Sequence, residues 1–194
     1  MKRVCVYAGS NPGNDPAYEQ AAVQLGVKLA EKGLELVYGG SSVGLMGRIA
    51  NSVLNQGGGA IGVMPKGLFR GEVVHTGLTQ LYEVNGMHER KAKMMELSDA
   101  FIALPGGYGT LEEVFEVVSW GQLGIHSKPL GLLNIKGYYQ PLVDMVDNGV
   151  KAGFIPAAQS RLLIVEEDPD ILLDRLASYE PPEGVNKWSE LPPA

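Results

Sequence analysis

The sequence predicts an α/β fold: a doubly wound, mostly parallel sheet with helices on both faces. Three observations carry that expectation. Short apolar runs alternate with segments of helical periodicity along the 194-residue chain. The runs are continuously apolar rather than alternating, as expected of strands buried on both faces. Glycine-rich turns close several of them and lead into helices.

Arg3-Val4-Cys5-Val6-Tyr7-Ala8 reads as the first buried strand, ended by Gly9-Ser10-Asn11-Pro12-Gly13. A helix should start near Pro16, a residue tolerated in a first turn. Ala21, Ala22, Leu25, Leu29 and Ala30 give it an apolar face, and Gly33 ends it. Leu34-Glu35-Leu36-Val37-Tyr38 is the second strand, closed by Gly39-Gly40, and a helix follows over 45–56. Gly57-Gly58-Gly59 breaks the chain before the strand Ala60-Ile61-Gly62-Val63-Met64. Residues 65–80 show no period, and a connection of that length in a compact domain is often functional. A short strand at 81–84 precedes a helix over 86–97 that Asn85 can cap. Asp99-Ala100-Phe101-Ile102-Ala103-Leu104 is the next strand, then a glycine-rich turn and a helix over 111–123. Strands at 129–134 and 162–165 and helices at 138–148 and 169–177 complete the pattern. One domain over 1–179 is expected, followed by a loosely held tail over 180–194 with four prolines.

The bulk numbers exclude several function classes. Hydrophobic residues make up 45% and charged residues 20%, ordinary for a globular chain. A net charge of -6 disfavours a general nucleic-acid surface, so any phosphate binding should be local. No run approaches the roughly 20 apolar residues of a membrane span. Residues 4–8 are too short for a secretory core, and the single Cys5 reads as a small core residue. A cytoplasmic protein is expected. His75, His88 and His126 show no metal spacing, so a transition-metal enzyme is not expected. There is no G-x-x-x-x-G-K-[ST] motif. The first turn is Gly9-x-x-x-Gly13 with no acid placed after the second strand, which argues against a nicotinamide dehydrogenase.

Ligands of such sheets sit at the carboxyl ends of the strands, where strand order reverses. The loops expected there are 9–13 and 105–110. Glycines admit a ligand to the backbone, and the first amides of the next helix lack internal partners. Together they form a site for a phosphate. Glu112 and Glu113 follow at once. For Glu113 two readings stand. Thr110-Leu111-Glu112-Glu113 matches the T-x-x-E capping box, worth roughly 1 kcal/mol of helix stability. Alternatively Glu113, held ionised by the helix N-terminus, orients water or stabilises a cationic transition state and would be a poor general acid. Met87, Arg90, Lys91 and Met94 share one helical stripe, so the two cations either point inward with an anionic partner or form a solvated face. Gly39 to Gly47 is a second glycine-rich strand-to-helix turn that either lines the same crevice or serves close packing. Glu72 reads as an ordinary surface acid.

Pro105-Gly106-Gly107-Tyr108-Gly109-Thr110-Leu111-Glu112-Glu113 resembles the P-G-G-x-G-T-x-x-E signature of the Lonely Guy family, the cytokinin riboside 5'-monophosphate phosphoribohydrolases. Met87-His88-Glu89-Arg90-Lys91 resembles the family's M-H-x-R-K motif. Val37-Tyr38-Gly39-Gly40 and Gly44-Leu45-Met46-Gly47 resemble its first glycine turn, and Trp120 to Gly124 and Lys128-Pro129 also fit. The resemblance implies a Rossmann-like homodimer that hydrolyses the N-glycosidic bond of a nucleoside 5'-monophosphate, without a cofactor, to a free adenine-type base and ribose 5-phosphate. It implies Arg90 and Glu113 as the catalytic pair. Glu72, Lys91, Gly107, Tyr108, Gly109, Thr110, Leu111 and Glu112 would bind substrate. Gly106 extends that phosphate loop, and Gly9, Ser10, Gly39 and Gly40 are further binding candidates in the crevice. The alternatives are a salvage enzyme of broader specificity that cleaves AMP, and a nucleotide carrier without turnover. Some relatives carry a lysine decarboxylase label, but no segment here stands out as a pyridoxal-phosphate lysine site.

Overall fold

The computed structural model describes residues 1–67 and 74–182. Glu72 and most of the proline-rich tail lie outside the described residues. Seven strands form one sheet: β1 (Arg3–Tyr7), β2 (Glu35–Tyr38), β3 (Ala60–Pro65), β4 (Gln80–Val84), β5 (Ala100–Ala103), β6 (Leu130–Leu133) and β7 (Leu163–Glu166). Their order is β4-β3-β2-β1-β5-β6-β7. Every pairing in the sheet is parallel. An isolated antiparallel bridge, Ser41 to Val74, lies outside it.

Six α-helices cover the sheet: α1 (Pro16–Glu31), α2 (Gly44–Asn55), α3 (Met87–Leu97), α4 (Tyr108–Gln122), α5 (Gln140–Lys151) and α6 (Pro169–Ala177). Successive strand side chains point to opposite faces, and both faces are buried. Val4, Val6, Leu36, Ala100 and Ile102 pack with Leu25, Ile49 and Leu172 of α1, α2 and α6. Cys5, Val37, Phe101 and Ala103 pack on the other face with Met94 of α3 and Val114 and Val117 of α4. Each buried Val, Leu, Ile, Phe or Met among them contributes about 1.5–3 kcal/mol by leaving water. The core therefore fixes the strand ends rigidly, and with them the loops that the strands carry.

Strand order reverses between β1 and β5, whose register pairs Val6 with Ile102 and Tyr7 with Ala103. The two following loops are thereby set side by side, and Gly9 N–H donates to the Pro105 carbonyl at 3.1 Å. This is the expected crevice.

Two helix starts differ from expectation. The helix expected over 111–123 begins at Tyr108, with Gly107 as its N-cap and no capping side chain. Thr110 is therefore inside the first turn, buried, and the capping-box reading of Glu113 fails. Asn85 does not cap α3 either; Gly86 holds that position. Instead, Glu89 reaches back and accepts from the Asn85 backbone N–H at 2.8 Å and from its side-chain amide at 3.0 Å. On the Met87–Met94 stripe, Met94 is buried but Met87 is exposed. Phe115 of α4 is also exposed.

Candidate active site

Two helices aim charged side chains at the β1/β5 crevice. Arg90 comes from the first turn of α3 and Glu113 from the second turn of α4, while the loop after β1 supplies the floor with Ala8, Gly9 and Ser10. The cleft they line has a volume of about 300 Å³, and Met46 and Gly107, Tyr108, Gly109 and Thr110 complete its wall. A second cavity of about 290 Å³ shares Gly9, Ser10 and Gly107 with it and is walled by Tyr18, Leu45, Pro105 and Tyr138. The Tyr138 hydroxyl donates to the Gly106 carbonyl. Tyr18 and Tyr138 meet edge to face at 5.9 Å.

At the base of the first cleft, Arg90 Nη1 stands 3.5 Å from Glu113 Oε1, and both side chains are only 11% exposed. Arg90 Nε donates to the Val63 carbonyl within β3, at 3.0 Å. The inward reading of Arg90 is thus the one the fold adopts. Burial pushes the Glu113 carboxyl up to about 7, against the opposing pull of the Arg90 charge. The expectation of a carboxylate held firmly ionised by a helix end is therefore corrected. Glu113 lies beyond the first amides, and loss of water around it outweighs the helix field. A carboxyl near neutrality can both accept and return a proton at physiological pH.

Lys91 also turns inward, but to the flank of the cleft. Its Nζ lies 2.5 Å from Glu112 Oε1 and 2.6 Å from Glu116 Oε2. Burial draws its pKa down, yet the two carboxylates outweigh that and raise it, so it is firmly cationic. The ion pairs tie α3 to α4 beside the Arg90–Glu113 pair.

The remaining candidates separate by geometry. Gly9 and Ser10 line both cavities, Gly106 the second, and Gly107 both. Gly109 and Thr110 face the first cleft, and Tyr108 does so with a side chain 93% exposed. A Cβ on Gly106 would lie 2.7 Å from Thr110 Cβ and 2.9 Å from the Gly9 nitrogen, so this turn closes only around a glycine. Leu111 points into the core under α4 and lines neither cavity. Gly40, with φ of 80°, turns the chain so that its carbonyl accepts from His75 N–H, away from the crevice. Gly39 packs against Arg90 rather than opening on the cleft. Sequence reasoning did not single out Met46, Tyr18 or Tyr138 for the site. Only Met46 had a signal, as part of the Gly44-Leu45-Met46-Gly47 turn. Among the described residues no group of three or more His, Cys, Asp or Glu side chains is placed to hold a metal ion. No described helix is long and apolar enough to cross a membrane.

A family model described as possible lysine decarboxylase matches residues 46–176. The cytokinin riboside 5'-monophosphate phosphoribohydrolase LOG of Oryza sativa subsp. japonica is 47% identical over 194 residues, all of this chain and 80% of the relative. The enzyme of the same name numbered LOG7 in Arabidopsis thaliana is 48% identical over 181 residues, 93% of this chain and 83% of the relative. Among solved structures, the molybdenum cofactor carrier protein of Chlamydomonas reinhardtii aligns with a TM-score of 0.69 at 21% identity, covering 92% of this chain and 99% of that one. The molybdenum cofactor binding protein of Rippkaea orientalis aligns with a TM-score of 0.68 at 23% identity, over 92% and 97%. These two share the fold. With relatives this similar along nearly its whole length, the chain belongs to the Lonely Guy family, whose curated members are named cytokinin riboside 5'-monophosphate phosphoribohydrolases.

Proposed function

We propose that this protein hydrolyses the N-glycosidic bond of adenine-type nucleoside 5'-monophosphates, including those prenylated on N6, and releases the free base and ribose 5-phosphate. The observation that carries the reading is the buried Arg90–Glu113 pair at the base of a glycine-walled cleft at the β1/β5 crevice. The uncapped start of α4 at Gly107 and Tyr108 presents backbone amides for the 5'-phosphate. Cleavage builds positive charge on the sugar, as in glycoside hydrolysis. Ionised Glu113 stabilises that charge and takes a proton from the attacking water. The water oxygen bonds to C1', the bond from C1' to the base breaks, and the proton ends on the departing base. Arg90 lines the same cleft, and its charge opposes the upward pull of burial on Glu113.

Base release measured by chromatography without added metal tests this. Isopentenyladenosine 5'-monophosphate and AMP should be cleaved, and the unphosphorylated riboside should not. The ratio of the two rates sets the substrate class. Monophosphate binding without any base release would replace hydrolysis with a carrier function.

The same reading includes a homodimer. Among the described residues α5 has no buried residue, although Leu142, Val143, Met145, Val146 and Val150 give it an apolar face. Phe115 of α4, Met145 and Phe154 are exposed at 42%, 68% and 86%. Exposed apolar area of that kind is commonly covered by another subunit. Sedimentation equilibrium should give twice the 20.8 kDa chain mass; a monomer at micromolar concentration would reject this part.

A further inference from the structure

We propose that Gly39 is a positioning residue for the active site: its missing side chain is the seat of the Arg90 guanidinium. This deepens the reading of the Arg90–Glu113 pair as the reactive centre and rests on it. A Cβ built on Gly39 would lie 2.0 Å from Arg90 Nη2 and 3.2 Å from Arg90 Cζ. Real Cβ contacts do not approach so closely, so the guanidinium would have to leave. It cannot slide freely, because Nε is bonded to the Val63 carbonyl and Nη1 faces Glu113. Met46 Sδ, 3.1 Å from the same Cβ position, closes the other side. The seat is steric and not conformational. Gly39, unlike Gly40 beside it, has no positive φ, so alanine fits the backbone there. Gly39 therefore acts through Arg90 and never needs to touch substrate.

The test is a double-mutant cycle read on Glu113 itself. Glu113 faces Arg90 and Lys91 from α3, Glu112 and Glu116 along α4, Cys5 and Tyr7 from β1, and Tyr139 ahead of α5. Of these, Arg90 exerts the largest downward pull on its pKa. Protein labelled with carbon-13 at the glutamate carboxyl reports the titration by NMR, with the Glu113 signal assigned by its loss in Glu113→Gln. In Gly39→Ala the Glu113 titration should move up by roughly one unit or more as Arg90 retreats. The kcat/KM for monophosphate cleavage at pH 7 should fall about fivefold or more in step with that shift. In an Arg90→Met background, adding Gly39→Ala should move neither quantity further, because the group the methyl displaces is gone. If Gly39→Ala alone folds poorly, the double variant should fold better than it, which a general packing defect would not produce. An unchanged Glu113 titration in Gly39→Ala, or a full additive loss in the Arg90→Met background, would overturn the assignment. The NMR readout needs no turnover, so it stands or fails separately from the identity of the substrate.

Discussion

Glu113→Gln should remove base release almost completely, by roughly 10³-fold or more in kcat, while the protein remains folded. Glutamine keeps the size of the side chain and its contact with Arg90, but it can neither neutralise a cationic sugar nor take a proton. Stability should move the other way. The Glu113 carboxyl is raised from 4.5 to about 7, so between those values the folded state holds a proton that the unfolded state has lost. Folded protein then binds more protons, and stability falls as pH rises through that window, by up to about 3 kcal/mol. Glutamine has no such proton to lose. The variant should therefore match the wild type near pH 4.5 and melt higher than the wild type at pH 8. Base-release assays with thermal unfolding at the two pH values check both halves. A variant that retains wild-type turnover would refute the catalytic role. One that loses turnover because it has unfolded would refute the isosteric argument.

That opposition between activity and stability explains what the sequence made legible and what it did not. Strands such as Val4 to Tyr7 and Ala100 to Ala103 announce themselves as apolar runs, because a sheet covered on both faces accepts little else. The crevice was legible too, since parallel topology and two glycine turns leave few places for a ligand. The start of α4 was not. Thr110 and Glu113 carry a local capping signal, but Thr110 fills the space that Gly106 leaves open, and that contact belongs to the folded loop. With Thr110 turned inward, the helix starts three residues earlier and Glu113 faces the core. The titration of Glu113 was equally out of reach. It depends on burial and on charges supplied by residues distant in sequence, Arg90 and Lys91 among them. The Met87–Met94 spacing put Arg90 and Lys91 on one stripe but could not say which of its members would be buried. The fold turns the Arg90 and Lys91 side chains inward, buries Met94 and leaves Met87 exposed.

Replacing Arg90 separates the two influences that act on Glu113. In Arg90→Met the methionine chain occupies much of the arginine stem, so the main loss is the charge. Burial then acts on Glu113 with less opposition, and its pKa should rise above about 7 by roughly 1–3 units. The ascending limb of kcat/KM against pH, which reports the free enzyme, should move up by the same amount. At pH 7 the carboxylate form then becomes scarce, and base release should fall by about 5- to 500-fold on that ground alone. Raising the pH should restore part of the rate, which no simple loss of substrate contact would allow. Stability carries the matching signature. Breaking a buried pair by removing one partner ordinarily costs about 3–5 kcal/mol. Here the orphaned acid can take up a proton, so the cost should be small at pH 6 and grow toward pH 9 as the folded state is forced to ionise it. Urea unfolding at pH 6 and pH 9, beside a pH–rate profile of the same variant, decides the matter. A rate loss with an unmoved limb would make Arg90 a substrate contact and not the group that sets the charge of Glu113. A stability loss equal at both pH values would mean that Glu113 does not sense Arg90 at all.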